Sequence, residues 1–160
     1  MKDLVAIAEK AGALLKERKQ TIVVAESSTG GLISAALLAV PGASAYFLGG
    51  AVVYTRQSRR LLIDIPDAAL DGVRASTEPY ALMMARTAQK NFSATWALAE
   101  TGATGPTGNR YGDAAGHSCI AIAGLSESSM TLETGKSGRL DNMHAFTAAA
   151  LNFLLQALSK

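Results

Sequence analysis

The sequence predicts an α/β fold, a sandwich built around one mixed sheet of about five strands. Three observations carry that prediction. Short apolar runs of strand length alternate with longer segments of helical period. The strand-like runs are apolar throughout instead of alternating, which suits strands buried on both faces. Neither an internal repeat nor a Pro/Gly/Ser-rich linker divides the 160 residues, so 1–160 reads as one domain.

Leu4, Ile7, Ala8, Ala11, Leu14 and Leu15 recur at helical spacing, with Lys2, Glu9, Lys10, Lys16 and Glu17 elsewhere on the wheel, and predict a first amphipathic helix. Residues 21–25 (TIVVA) form a short apolar strand, and 30–40 a helix stopped by Pro41-Gly42. Aromatic and β-branched residues mark 45–54 as a strand, with a bulge or a close backbone approach at Gly49-Gly50. A short helix is expected over 55–63, then a loop around Pro66 and Asp71-Gly72, then a helix from Ser76-Thr77 to about Asn91. Residues 94–100 are a buried strand that runs into a segment, 101–116, too rich in Gly and Pro for a regular element. Strands at 117–125 and 129–135 make a hairpin, and a helix over 140–158 closes the chain.

With 49% hydrophobic and 18% charged residues, the composition is that of a globular core. The net charge of +2 and the absence of a long Lys/Arg run argue against a nucleic-acid surface, while leaving room for a small anionic ligand. No run reaches the roughly 20 apolar residues of a membrane span, and the charges in the first 19 residues suit an amphipathic helix better than a signal peptide. Cys119, the single cysteine, lies in an apolar run and reads as a buried reduced thiol. A cytoplasmic location is therefore expected.

The most informative segment is 25–31, AESSTGG, a hydroxyl-rich turn between a strand and a helix. Unpaired N–H groups at a helix N-terminus can hold an anion or a developing oxyanion, and Ser27, Ser28 and Thr29 offer a nucleophile beside them. A plainer reading makes Ser28 or Thr29 the N-cap and Gly30-Gly31 a tight turn. Glu26 fits a capping acid. The second loop adds Thr101, Gly102, Thr104, Gly105 and Thr107, whose hydroxyls and N–H groups suit phosphate or sugar oxygens. Neither loop is a Walker or dinucleotide motif. Met83, Met84 and Trp96 read as core, and His144 as a helix-face residue.

Five motifs in order, AESSTGG (25–31), PGAS (41–44), GG-x-V-x-Y (49–54), TGATGP-x-G (101–108) and Gly138-Arg139 before the last helix, resemble those of the CinA C-terminal domain family. The likeness runs from about residue 5 to 158. It implies a three-layer α/β/α sandwich. It also implies a nicotinamide-nucleotide amidase that converts nicotinamide mononucleotide to nicotinate mononucleotide and ammonia, acting as a homodimer with no cofactor and no metal. By the same resemblance Ser27 is the nucleophile and Tyr54 a second catalytic residue, while Thr29, Gly30, Gly31, Thr101, Gly102, Gly105 and Arg139 bind the substrate.

The chain departs from the family at one decisive place. Arg59 stands where the family has a lysine expected to activate the serine, and a guanidinium, protonated until above about pH 12, is no base. It can still fork onto a phosphate or carboxylate. Thr55-Arg56 replace the Ser-Asn of the same motif, a second arginine after Arg139 is replaced near Met143, and 109–118 (NRYGDAAGHS) is unlike the usual approach to the next strand. That loop brings Arg110, Tyr111 and His117, and an imidazole of ordinary pKa near 6.5 is a candidate base if it faces Ser27. A surface or capping histidine is the plainer alternative. Two other readings stay open: a catalytically impaired nucleotide-binding module of the same fold, and an amidase or esterase of altered substrate.

Overall fold

The computed structural model describes residues 1–160. Ten elements follow in chain order: α1 (Lys2–Glu17), β1 (Ile22–Glu26), α2 (Leu32–Leu38), β2 (Phe47–Val52), α3 (Arg56–Ile63), α4 (Glu78–Phe92), β3 (Trp96–Ala103), β4 (His117–Gly124), β5 (Ser128–Glu133) and α5 (Arg139–Leu158). The strands form one sheet in the order β2-β1-β3-β4-β5. β2, β1 and β3 are parallel, and β3, β4 and β5 antiparallel, so the sheet is mixed as its sequence predicts.

The period-2 alternation of a strand sends its side chains to two different cores. Ile22, Val24, Trp96, Leu98, Ile120 and Ile122 face α1, α2 and α5, where they meet Leu4, Leu15, Leu37 and Leu154. Val23, Ala25, Ala97, Ala99, Ala121 and Ala123 face α4, where they meet Ala81, Met84, Ala85 and Ala88. Helices on both faces make the three-layer α/β/α sandwich. Small residues on the α4 side let that helix lie close, whereas Leu, Ile and Trp fill the thicker layer opposite.

Several boundaries differ from the sequence reading. β3 runs on to Ala103, three residues into the Gly-rich segment, because Thr101, Gly102 and Ala103 pair with Cys119, Ser118 and His117. α2 is shorter than 30–40, since Gly30 and Gly31 take φ of +65° and +100° inside the turn. β2 starts only at Phe47, while Tyr46 turns into the core and donates to the Leu37 carbonyl at 2.6 Å. The irregularity near Gly49-Gly50 is real: Ile22 pairs with Phe47 but Val23 with Gly49, so Leu48 is the extra residue. Gly50 makes room for α2, because a Cβ there would lie 2.1 Å from Ser34 Oγ and force Ser34 to shift.

β1 and β3 end side by side, with Glu26 opposite Glu100. The two loops of interest leave from these ends, next to the point where the strand order reverses, which is where open α/β sheets form their ligand crevices.

Candidate active site

Two buried carboxyl groups build the turn after β1. Glu26 accepts the N–H groups of Gly31 (3.0 Å), Ile33 (3.1 Å) and Ser34 (3.0 Å), together with the hydroxyls of Thr29 (2.7 Å) and Ser34 (2.6 Å). Glu100 accepts the N–H groups of Ser27 (3.2 Å) and Thr29 (3.0 Å) and the hydroxyls of Thr29 (3.1 Å) and Ser118 (3.2 Å), and pairs closely with Ser28 Oγ. Burial raises the pKa of Glu100 against the pull of the hydrogen bonds from Ser28, Thr29 and Ser27.

This arrangement corrects one expectation. The anion at the N-terminus of α2 is the chain's own Glu26, so that helix end is not open to a ligand. Nor are the N–H groups of Thr29, Gly30 and Gly31 free to hold an oxyanion: they bond to Glu100, to the Ser27 carbonyl (3.2 Å) and to Glu26. In the turn 27–31 only the Ser28 N–H has no partner within the chain. Capping, by contrast, is what Glu26 does.

Of the three consecutive hydroxyl residues, Ser28 and Thr29 are buried and Ser27 is partly exposed. Ser27 lines a cleft of about 930 Å³, with Tyr54, Arg59 and Thr101 also in its wall. Thr101 is held there by the Ser76 N–H, which donates to its Oγ1 at 3.2 Å. The capping box at the start of α3, in which Thr55 and Ser58 exchange bonds at 3.0 and 2.8 Å, fixes the helix that carries Arg59.

The other candidate residues fall into two groups. Arg139 donates to the Gly105 carbonyl at 2.8 Å and to the Tyr54 hydroxyl at 3.4 Å; it braces the rim of the cleft without lining it. Gly102 and Gly105 also lie outside the lining, and close packing explains them: an added Cβ would meet the His117 carbonyl at 2.4 Å and the Ser137 carbonyl at 2.5 Å respectively. Arg59, 4% exposed, pairs with Asp67 and points its Nε at the Ile65 carbonyl at 3.4 Å.

His117 is not poised to take a proton from Ser27. Its Nε2 donates to the Ser76 carbonyl at 2.9 Å and its Nδ1 pairs with Glu133, and it does not line the cleft. Burial disfavours the imidazolium, but Glu133 and the Ser76 carbonyl outweigh it and raise the pKa. Cys119 is buried beside it, its thiol pushed up by burial, as an inert cysteine would be.

Sequence reasoning overlooked Glu100. A signal was there: both central strands end in an apolar run, then Glu, then a hydroxyl residue, VVAES in one and ALAET in the other. It also overlooked Asp67 and the pair of Arg74 with Asp113, whose two hydrogen bonds measure 2.6 and 3.0 Å.

The profile of the CinA C-terminal domain matches residues 4–158. A CinA-like protein of Synechococcus sp. (strain CC9902) is 42% identical over 111 residues, which are 69% of this chain and 26% of that protein. Another CinA-like protein, from Chlorobium limicola, is 37% identical over 148 residues, 89% of this chain and 34% of that one. The chain thus spans at most about a third of the length of these curated relatives. Among solved structures, the competence/damage inducible protein CihA from Agrobacterium tumefaciens aligns at a TM-score of 0.88 and 28% identity, covering 99% of this chain and 96% of its own. No helix of the chain is long and apolar enough to cross a membrane. Matched nearly end to end in both sequence and fold, the chain belongs to the CinA C-terminal domain family.

Proposed function

We propose that the cleft beside Ser27 is the site of a nicotinamide-nucleotide-type amidohydrolase, with Ser27 as nucleophile and a small anionic nucleotide as substrate. The observation that supports it is the division of labour in the turn: Ser28 and Thr29 are spent on Glu26 and Glu100, and Ser27 alone faces the cleft. Ser27 Oγ attacks the carboxamide carbon and gives up its proton, the C–N bond breaks as the nitrogen takes a proton and leaves as ammonia, and water then frees the carboxylate. The Ser28 N–H, the donor after the nucleophile and free within the chain, suits the developing oxyanion. Tyr54, with Arg139 on its hydroxyl, is the group in the cleft wall left to move the proton, since Arg59 and His117 are engaged elsewhere.

A second reading, a nucleotide-binding module without turnover, is favoured by one fact: Arg59 sits where the family's lysine base is expected and is tied to Asp67. Ammonia release from nicotinamide mononucleotide, measured beside Ser27→Ala and Tyr54→Phe, separates the two. Turnover lost in both variants supports the hydrolase; binding by calorimetry with no ammonia supports the module; turnover that survives Ser27→Ala overturns the assignment of the nucleophile. The expected assembly is a homodimer, which sedimentation equilibrium tests.

A further inference from the structure

The cleft is roomy and cationic. At about 930 Å³ it lies near the top of the roughly 300–1,000 Å³ range of small-molecule sites. Arg56, Arg59, Arg74 and Arg110 line it, and Asp67 is the only acid in the lining. Arg59 is neutralised by Asp67, and Arg74 by Asp113. Arg56, in the first turn of α3, and Arg110, in the loop before β4, pair with no carboxylate. Two uncompensated guanidiniums thus enter one cleft from two different elements.

The loop that carries Arg110 is built to hold its shape. Asn109 Oδ1 accepts the N–H groups of Tyr111 (3.0 Å) and Asp113 (3.1 Å), while its Nδ2 donates to Asp113 at 2.8 Å. Asp113 in turn fixes Arg74. Two cations lie near the Tyr111 ring, the Arg74 guanidinium carbon 5.2 Å and that of Arg110 5.0 Å from its centroid, and Arg110 Nη2 donates to the Tyr111 hydroxyl at 2.9 Å. A guanidinium held beside an aromatic ring can offer a face to a nucleobase, and its N–H groups not bonded to the hydroxyl to phosphate.

We propose that Arg74, Tyr111 and Arg110 form a second subsite, and that the cleft takes a dinucleotide: the phosphate it shares with the mononucleotide is met by Arg56, the second phosphate of its diphosphate bridge by Arg110, and its distal base stacks on the Arg110–Tyr111 wall. The proposal rests on the cleft being a nucleotide site, not on turnover. Both Arg110 and Tyr111 are exposed, so their replacement leaves the cores intact.

The test is calorimetric titration of the intact chain with nicotinamide mononucleotide and with nicotinamide adenine dinucleotide, repeated on Arg110→Ala and Tyr111→Ala. The dinucleotide is expected to bind about tenfold tighter or more, the scale of one stacked base, and each variant to remove that margin while weakening the mononucleotide by less than about threefold. A dinucleotide that binds no tighter than the mononucleotide overturns the proposal, as do variants that weaken both ligands alike. If both ligands bind as expected but no ammonia is released, the second subsite stands and the hydrolase reading falls. If neither binds, both fall.

Discussion

Glu26 and Glu100 are register partners on adjacent strands, yet their surroundings differ. Five donors converge on Glu26, among them three N–H groups around the start of α2. Glu100 is fully buried and shares the Thr29 hydroxyl, which has one proton for two acceptors. Its raised pKa means the folded chain keeps a proton that the unfolded chain loses. This group's contribution to stability is therefore greatest below the ordinary carboxylate range and falls as pH climbs through it toward the raised folded value. Glu100→Gln, an imitation of the protonated group, is expected to gain stability relative to the wild type as pH rises above the ordinary carboxylate range in urea titrations. Glu100→Ala strands the Ser27 and Thr29 N–H groups and is expected to cost about 3 kcal/mol or more by the same measurement.

Arg59 carries the second prediction at this scale. Arg59→Lys alone leaves Asp67 beside the new amine, and an adjacent carboxylate holds a lysine protonated. Arg59→Lys with Asp67→Asn removes that hold, and the pair is expected to release ammonia about a hundredfold faster than the wild type, the lower end of the range for a restored general base. A double variant no faster than Arg59→Lys would show that position 59 does not reach the reaction.

At the scale of elements, the site depends on how closely neighbours pack. Gly50 of β2 leaves room for Ser34 of α2, and Ser34 donates to Glu26 at 2.6 Å. Gly50→Ala is thus expected to push Ser34 off Glu26 and to cost about 1–3 kcal/mol in thermal or urea unfolding, with loss of ligand binding at the Ser27 turn. The contact of β4 with β5 sets His117. Glu133→Gln takes away the partner of Nδ1, and the His117 pKa, followed by NMR through the ring protons, is expected to drop. A raised histidine pKa stabilises the fold at low pH, and this contribution is lost as pH rises through the folded value, so Glu133→Gln flattens that part of the stability profile.

In the whole molecule, one sheet serves two cores, and β1, β3 and β4 each supply side chains to both. Neither core can open without the backbone that forms the other. Trp96 fluorescence reports the core under α1, α2 and α5, and far-UV circular dichroism reports all the helices. The two signals are expected to fall together in urea, and separated midpoints would show that α4 leaves the sheet independently.

The sequence by itself determined the fold class, because buried strands and amphipathic helices carry their pattern locally: the short apolar run TIVVA reads as a two-sided strand, and Leu4 to Leu15 as one face of a helix. It also determined the hydroxyl turn and its Glu26 cap, which lie within eight residues of each other. Only the tertiary structure decided which groups remain for chemistry. Glu100 lies 73 residues from Ser27, and it is Glu100 and Glu26 that consume the N–H groups the turn seemed to offer. His117 and Ser76, 41 residues apart, and Arg59 with Asp67 are likewise committed by packing. A hydrogen-bond donor has the same chemistry wherever it occurs in a sequence, but whether it is free depends on the neighbour that folding brings to it.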